Sequence, residues 1–241
     1  MRGRITAFLR GLKRPYLKKI CDIESFTVWF VDGKYIRTHM NEEFTNYGQH
    51  YQFKMIPKNE FWIDRETVPG EERYYIDSML TMNKLLSKGI SHKLAVKKAD
   101  QIEKRERAKG VLLKQGLVGL PKDKVLNKVK VKLLKEYSSE DLKVWIVKGE
   151  LVRSLFFLDF TEGGHDKVYP FVPKGEIWID DDVSISERKF VLLHEAHERN
   201  LMSKGMVYDK AHLDSSRIEL FCRHNPEALN RALNGELRLD N

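Results

Sequence analysis

The sequence predicts an α+β fold made of two tandem copies of one small domain, and three observations predict it. Residues 26–107 slide forward by 116 positions onto 142–223 without a gap. Within each copy the apolar pattern has period two first and period 3.6 afterwards, strands and then helices. A repeat this long fits tandem domains, not a solenoid of short units. Trp29, Val31, Gly33 and Arg37 fall on Trp145, Val147, Gly149 and Arg153. Pro57, Glu60, Trp62 and Asp64 fall on Pro173, Glu176, Trp178 and Asp180, and Ile102-Glu103 falls on Ile218-Glu219.

Five segments follow in chain order: a basic N-terminal helix (1–25), the first repeat (26–107), a basic connector (108–141), the second repeat (142–223), and a C-terminal helix and tail (224–241). Each repeat is expected to open on a β-hairpin. Thr27–Val31 and Lys34–Thr38 flank Asp32-Gly33, a type I′ turn signal; Val144–Val147 and Glu150–Arg153 flank Lys148-Gly149. A loop through Thr161–His165 comes next, then extended pieces at Lys167–Val172 and Glu176–Asp180. Ser184-x-x-Glu187 reads as a capping box that opens a helix over about 185–204, stopped by Gly205. Its partner in the first repeat begins at Pro69, a favoured first helical residue, and stops at Gly89. A second helix is expected over 209–223, and Asn225-Pro226 opens a short third one. The connector, with Gly110, Gly116, Gly119, Pro121 and many lysines, is expected to lie outside both cores and to be cut first by proteases.

Composition sets outer bounds. Of 241 residues, 41% are hydrophobic and 32% charged, which suits a globular protein, and no apolar run approaches the ~18 residues of a membrane span. Cys21 and Cys222 occupy non-equivalent places in the two copies, which argues against a disulfide framework and for a reducing compartment, cytoplasmic or within a virion. Net charge is +8. The excess gathers at the N-terminus (Arg2, Arg4, Arg10) and in the connector (Lys128, Lys130, Lys132), where non-specific nucleic-acid binding and a plain solvated surface are the two readings.

Chemistry concentrates in the second copy. His194 and Glu198 stand one helical turn apart, so both face one side, with Glu195 beside them. Two ligands at that spacing can hold one metal ion, and an adjacent carboxylate can take a proton from water. The next helix offers Glu219 or His212 as a third ligand. Antiparallel pairing about a turn near 206–207 puts Glu219 level with His194 and leaves His212 roughly 10 Å away along the axis. His197 is a further alternate. The first copy has Ser78, Met79, Thr81 and Met82 where the second has His194, Glu195, His197 and Glu198, and Val96 in place of His212. Ionisable groups exchanging for neutral ones point to a half-buried surface. Glu103 matches Glu219, so that carboxylate also suits a structural bond in both copies. His165 reads as a loop histidine, Trp62 and Trp178 as core, Arg37 and Arg153 as exposed strand-end ion pairs, and Asp64 and Asp180 as strand stops.

Ile177-Trp-Ile-Asp180 followed by Glu187-Arg-Lys-Phe-Val-Leu-Leu-His194-Glu195 resembles the edge strand and active-site helix of zincin-like metallopeptidases, closest to the ImmA/IrrE type, over about 45 residues. The resemblance implies His194 as first metal ligand, Glu195 as general base and Glu219 as the downstream ligand. The second histidine of H-E-x-x-H is Glu198 here. The implied set of one histidine and two glutamates would take zinc foremost, with manganese or iron as alternatives. The activity implied is hydrolysis of a peptide or protein substrate. The unit also resembles small, uncharacterised phage and bacterial proteins. The competing reading is a non-enzymatic, basic structural or nucleic-acid-associated protein, of phage origin, built from two packing modules.

Overall fold

A computed structural model describes residues 15–67, 69–112 and 122–237. The chain divides into two compact units, Met1–Gly110 and Val111–Asn241. Each is α+β, and the two are built alike.

In the first unit the sheet comprises β1 (Tyr16–Ile23), β2 (Phe26–Val31), β3 (Tyr47–Gln49) and β4 (Glu60–Asp64), in the order β1-β2-β4-β3. The second has β5 (Lys130–Leu133), β6 (Lys143–Val147), β7 (Gly163–His165) and β8 (Glu176–Asp180), in the order β5-β6-β8-β7. The central pair is parallel in both, and the outer pairs are antiparallel. Register repeats with the sequence: Trp29 faces Trp62 as Trp145 faces Trp178. Trp62 and Trp178 are buried, as expected.

The expected hairpins are not formed around Asp32-Gly33 and Lys148-Gly149. The chain there enters short helices, α1 (Gly33–His39) and α5 (Gly149–Leu155). The reason is the parallel central pair, which requires a crossover that a two-residue turn cannot supply. Asp32 caps α1 by accepting from the Tyr35 N–H at 3.0 Å. The recurring glycines serve close approach instead of a turn. A Cβ on Gly33 would lie 1.6 Å from an Asp64 carboxylate oxygen, and on Gly149 2.0 Å from one of Asp180.

That approach lets each aspartate meet an arginine, and Arg37 and Arg153 are not the exposed strand-end pairs expected. They lie buried on α1 and α5 and bond to Asp64 and Asp180. Asp64 and Asp180 also accept from the Glu66 and Asp182 amides, the strand stop read from the sequence.

The hairpins that do exist lie upstream. β1 pairs with β2 and β5 with β6. Tyr16 and Leu17 are therefore in a strand, not a helix. The connector also belongs largely to the second unit: α4 (Lys122–Val129) leads into β5, and Val125, Val129 and Leu134 are buried. Tyr16 faces Val31 and Lys130 faces Val147, so the repeat continues at an offset of 114 with the same bulge in each first strand. The residues just upstream in the two copies, 1–14 and 113–121, lie outside the described set. Residues 167–172 form turns, and the strand is β7 instead.

Helical hairpins close each unit: α2 (Glu72–Leu86) with α3 (His92–Arg107), and α6 (Arg188–Ser203) with α7 (Tyr208–His224). Gly89 and Gly205 end the first helices at φ +75° and +93°, the left-handed stop predicted. Pro69 stands three residues before α2. A last helix, α8 (Leu229–Leu237), lays Leu229, Leu233 and Leu237 into the core formed by β6, β8 and α6.

Candidate metal centre

Three elements of the second unit bring five polar side chains together. Helix α6 supplies His194, Glu195 and Glu198; β7 supplies His165; α7 supplies His212. Two groups of potential ligand atoms arise, His194/Glu198/His212 and His165/Glu195/Glu198, each with its atoms within 4.8 Å of one another. Glu198 is common to both and is 3% exposed.

Hydrogen bonding separates the two groups. The Lys167 backbone N–H donates to His165 Nδ1 at 3.1 Å, so the proton of this ring is on Nε2. That Nε2–H donates to Glu198 Oε1 at 3.0 Å. His165 therefore orients a carboxylate and presents no lone pair toward the group. His194 has the opposite polarity. Its Nδ1 faces Glu219 Oε2 at 2.9 Å, which keeps a proton on Nδ1 and makes Nε2 the nitrogen that offers a lone pair once the ring is neutral. That Nε2 lies 3.1 Å from His212 Nδ1 and 3.7 Å from Glu198 Oε2, and the third edge of the triangle is 2.8 Å. Donors held tetrahedrally at 2.0–2.1 Å from zinc would stand about 3.3 Å apart. Two imidazole nitrogens and a carboxylate oxygen at this spacing fit a divalent cation.

The electrostatics are those of a coupled cluster. Burial by itself would lower the His194 pKa, but hydrogen bonds to Glu198 and Glu219 hold it well above the ordinary value. Burial would raise Glu198, and the bonds from His165, His194 and His212 override it, so its carboxyl is held well below the usual range. Glu195 moves the other way: burial raises it, with His165 and His194 opposing and Glu198 reinforcing.

The sequence-predicted residues are thus distributed as follows. His194 and Glu198 converge, and Glu195 adjoins them. His212, placed 10 Å away by depth along the helix, is in contact with both. Its Nδ1 lies 2.8 Å from Glu198 Oε2, one turn beyond His194, and 3.1 Å from His194 Nε2. Glu219 takes the outer nitrogen of His194 and positions the ring from behind. It accepts from Arg223 Nε at 2.8 Å, and Arg223 also donates to Glu187 at 2.6 Å. His197 faces away, between Glu236 Oε1 on α8 at 2.8 Å and Asp214 Oδ2 on α7 at 3.2 Å. Asp180-Asp181-Asp182, a third acidic group, is occupied by Arg153.

Sequence reasoning missed the role of His165, and with it the two glycines before it. A Cβ on Gly163 would lie 3.2 Å from Glu195 Cγ, and one on Gly164 would lie 2.4 Å from the Tyr169 ring. The 116-residue offset carried the signal, since Gly163 falls on Tyr47 and His165 on Gln49.

Of the basic residues, Arg2, Arg4 and Arg10 lie outside the described residues. Lys128 and Lys132 are exposed, while Lys130 bonds to Glu176 and covers the Trp145 ring. Both cysteines are free thiols. Among the described residues no helix is long and apolar enough to cross a membrane. Comparison of the chain with protein-family models, curated proteins and solved structures gives no match.

Proposed function

We propose that this protein is a zincin-like, metal-dependent hydrolase that cleaves a peptide bond in a peptide or protein substrate, with one site, in its second unit. The observation that carries the reading is the donor triangle of His194 Nε2, His212 Nδ1 and Glu198 Oε2, set against a first unit with Ser78, Val96 and Met82 at those places. Two nitrogens and one oxygen favour zinc over the harder manganese. A divalent cation held there would supply Lewis acidity toward a water molecule and a substrate carbonyl.

The chain's own groups do the rest. Glu219 keeps the Nδ1 proton on His194, so the Nε2 lone pair faces inward. His165 fixes Glu198 Oε1 and leaves Oε2 for the cluster. Glu195, with its proton affinity raised by burial, takes a proton at its carboxylate from the attacking water and delivers it to the departing amine. Burial foremost, and then Glu195, raise the Tyr169 hydroxyl pKa, so it remains a hydrogen-bond donor beside the site. A reducing, intracellular setting suits the two free thiols.

Elemental analysis of untagged protein, together with hydrolysis of a fluorogenic peptide library, tests this. One equivalent of zinc is expected. Glu195→Gln should keep the metal and lose hydrolysis, and His194→Ala should lose both. Absence of metal after reconstitution with zinc, manganese and iron(II) would overturn the proposal.

A second reading, a non-enzymatic structural or nucleic-acid-associated protein, has one observation in its favour. The cluster's polar atoms already bond one another, and the first unit keeps the same fold without them. On that reading metal is absent, and any nucleic-acid binding through Lys128, Lys132 and their basic neighbours weakens steeply with salt.

A further inference from the structure

A groove of about 800 Å³ lies in the second unit, and its walls are mostly apolar. Phe156 stacks on Phe171 at 4.9 Å, Phe171 on Tyr169 at 5.1 Å, and Phe157 leans on Tyr169 at 5.6 Å. Tyr208 closes one side. Phe157 and Tyr208 are 40% and 43% exposed, so the groove opens to solvent.

Two features connect it to the chemistry. The Tyr208 ring stacks against His212, with centroids 5.4 Å apart and planes at 25°. Tyr169 lies over Gly164 in β7, one residue from the histidine that holds Glu198. One wall residue of the groove, Tyr208, is therefore in direct contact with a donor of the triangle.

The duplication supplies a control. The first unit has Met40, Asn41, Phe53, Met55 and His92 where the second has Phe156, Phe157, Tyr169, Phe171 and Tyr208. Four of these five aromatic side chains, like the metal donors, are found only in the second copy, and Phe53 alone keeps a phenyl ring in the first. A groove maintained only for core packing would not be expected to follow the ligands in this way.

We propose that this groove is a substrate subsite for a large apolar side chain, aromatic by preference, on a peptide whose adjacent carbonyl then lies at the cluster. The proposal rests on the hydrolase reading above and specifies its substrate. The occupant follows from three facts: the walls are stacked rings, the volume is that of a small-ligand pocket, and Tyr208 in the wall stacks on His212. A side chain anchored there leaves its own backbone within reach of Glu195.

The test uses zinc-loaded full-length chain and four hydroxamates measured by calorimetry. N-acetyl-phenylalanine hydroxamate should bind roughly 10- to 100-fold more tightly than the N-acetyl-alanine hydroxamate, the factor expected for burying the extra apolar surface. Phe157→Asn and Phe171→Met, which install the first unit's residues, should each cut that ratio several-fold. Phe157 is exposed, so its replacement should leave the fold intact, as circular dichroism would verify. Equal affinity of the two hydroxamates, or a ratio unmoved by both substitutions, overturns the subsite while leaving the metal site standing. Tighter binding of octanohydroxamate than of the phenylalanine derivative overturns it in favour of an acyl chain. If acetohydroxamate itself fails to bind, the metal reading fails, and the subsite fails with it.

Discussion

In the first unit Gln49, Ser78, Met82 and Val96 stand where the second has His165, His194, Glu198 and His212. Gln49 there reaches toward Met82 Sδ and Asn83, a neutral set in the same pocket between the short strand and the helical hairpin. Behind that pocket the two units are the same. Glu71, Arg107 and Glu103 form the buried chain that Glu187, Arg223 and Glu219 form in the second, and each arginine Nε sits 2.8 Å from its helical glutamate. In the first unit the hydroxyl of Ser78, not an imidazole, bonds to Glu103. The comparison shows that the Glu–Arg–Glu chain belongs to the fold and stands without any metal donors. The second unit uses one end of it to set the tautomer of His194.

The largest expected effect falls on what the units share. Arg107→Ala and Arg223→Ala each leave two buried carboxylates without their cation, and each should destabilise its own unit by about 3–5 kcal/mol, read as a lowered denaturant midpoint for that unit. Only Arg223→Ala should also weaken metal binding. If Arg107→Ala did so too, the division between scaffold and site would be wrong.

A smaller effect isolates positioning. Glu219→Gln keeps the shape and removes the charge behind His194, so zinc affinity should fall about 10- to 100-fold, as for other groups that orient a ligating histidine. Glu103→Gln should leave zinc affinity unchanged. Competition titration with a chromophoric chelator would measure both.

The smallest concerns α8, which packs on α6 and has no described counterpart in the first unit. His197 lies between Glu236 and Asp214, and its pKa is raised chiefly by the bond to Glu236, while Glu236 is lowered chiefly by His197. The imidazolium contribution is complete below an unfolded value of about 6.5 and is lost as pH rises through the higher folded one. The carboxylate contribution is present above the unfolded value of Glu236, about 4.3, and is lost as pH falls through the lower folded one. Amide protection in α8, the observed exchange relative to the intrinsic rate at each pH, should thus be greatest between about pH 4.3 and 6.5. Glu236→Gln should flatten that dependence at a cost of about 1 kcal/mol or less, since the pair is partly exposed. Protection of α8 that does not vary with pH in the wild type would dismiss the clasp.

Much of this was legible because duplication removes noise. Positions kept at offset 116 proved to be core tryptophans, strand-ending aspartates, the Gly89 and Gly205 stops and the glutamate of the buried chain. Of the positions that changed from neutral to ionisable, His194, Glu195, Glu198 and His212 converged on one site, and His197 turned away from it. What was hidden was hidden for physical reasons. Asp-Gly is the signature both of a tight turn and of a capped helix that must approach a carboxylate closely, and sequence alone does not say which. The first strand of each unit lay beyond the gapless stretch, where the offset falls by two residues. His212 was displaced by counting depth from one helix position, although imidazoles on facing helices bridge a turn of offset. His165 was obscured by His50, which looks like a shifted equivalent but bonds through Nδ1 to the Ile56 carbonyl oxygen.

The edge position of β1 and β5 bears on how the halves can be separated. Each covers one side of the parallel pair at the centre of its sheet. A fragment begun at residue 26 or 142, where the self-match begins, would strip that cover and leave β2 or β6 with a bare row of amides and carbonyls open to a neighbouring chain. Such halves would clump on expression, and the failure would look like an inability to fold alone. Fragments that start upstream of Pro15 and of Lys122 keep the strand. They are the ones from which independent folding of either half can be judged.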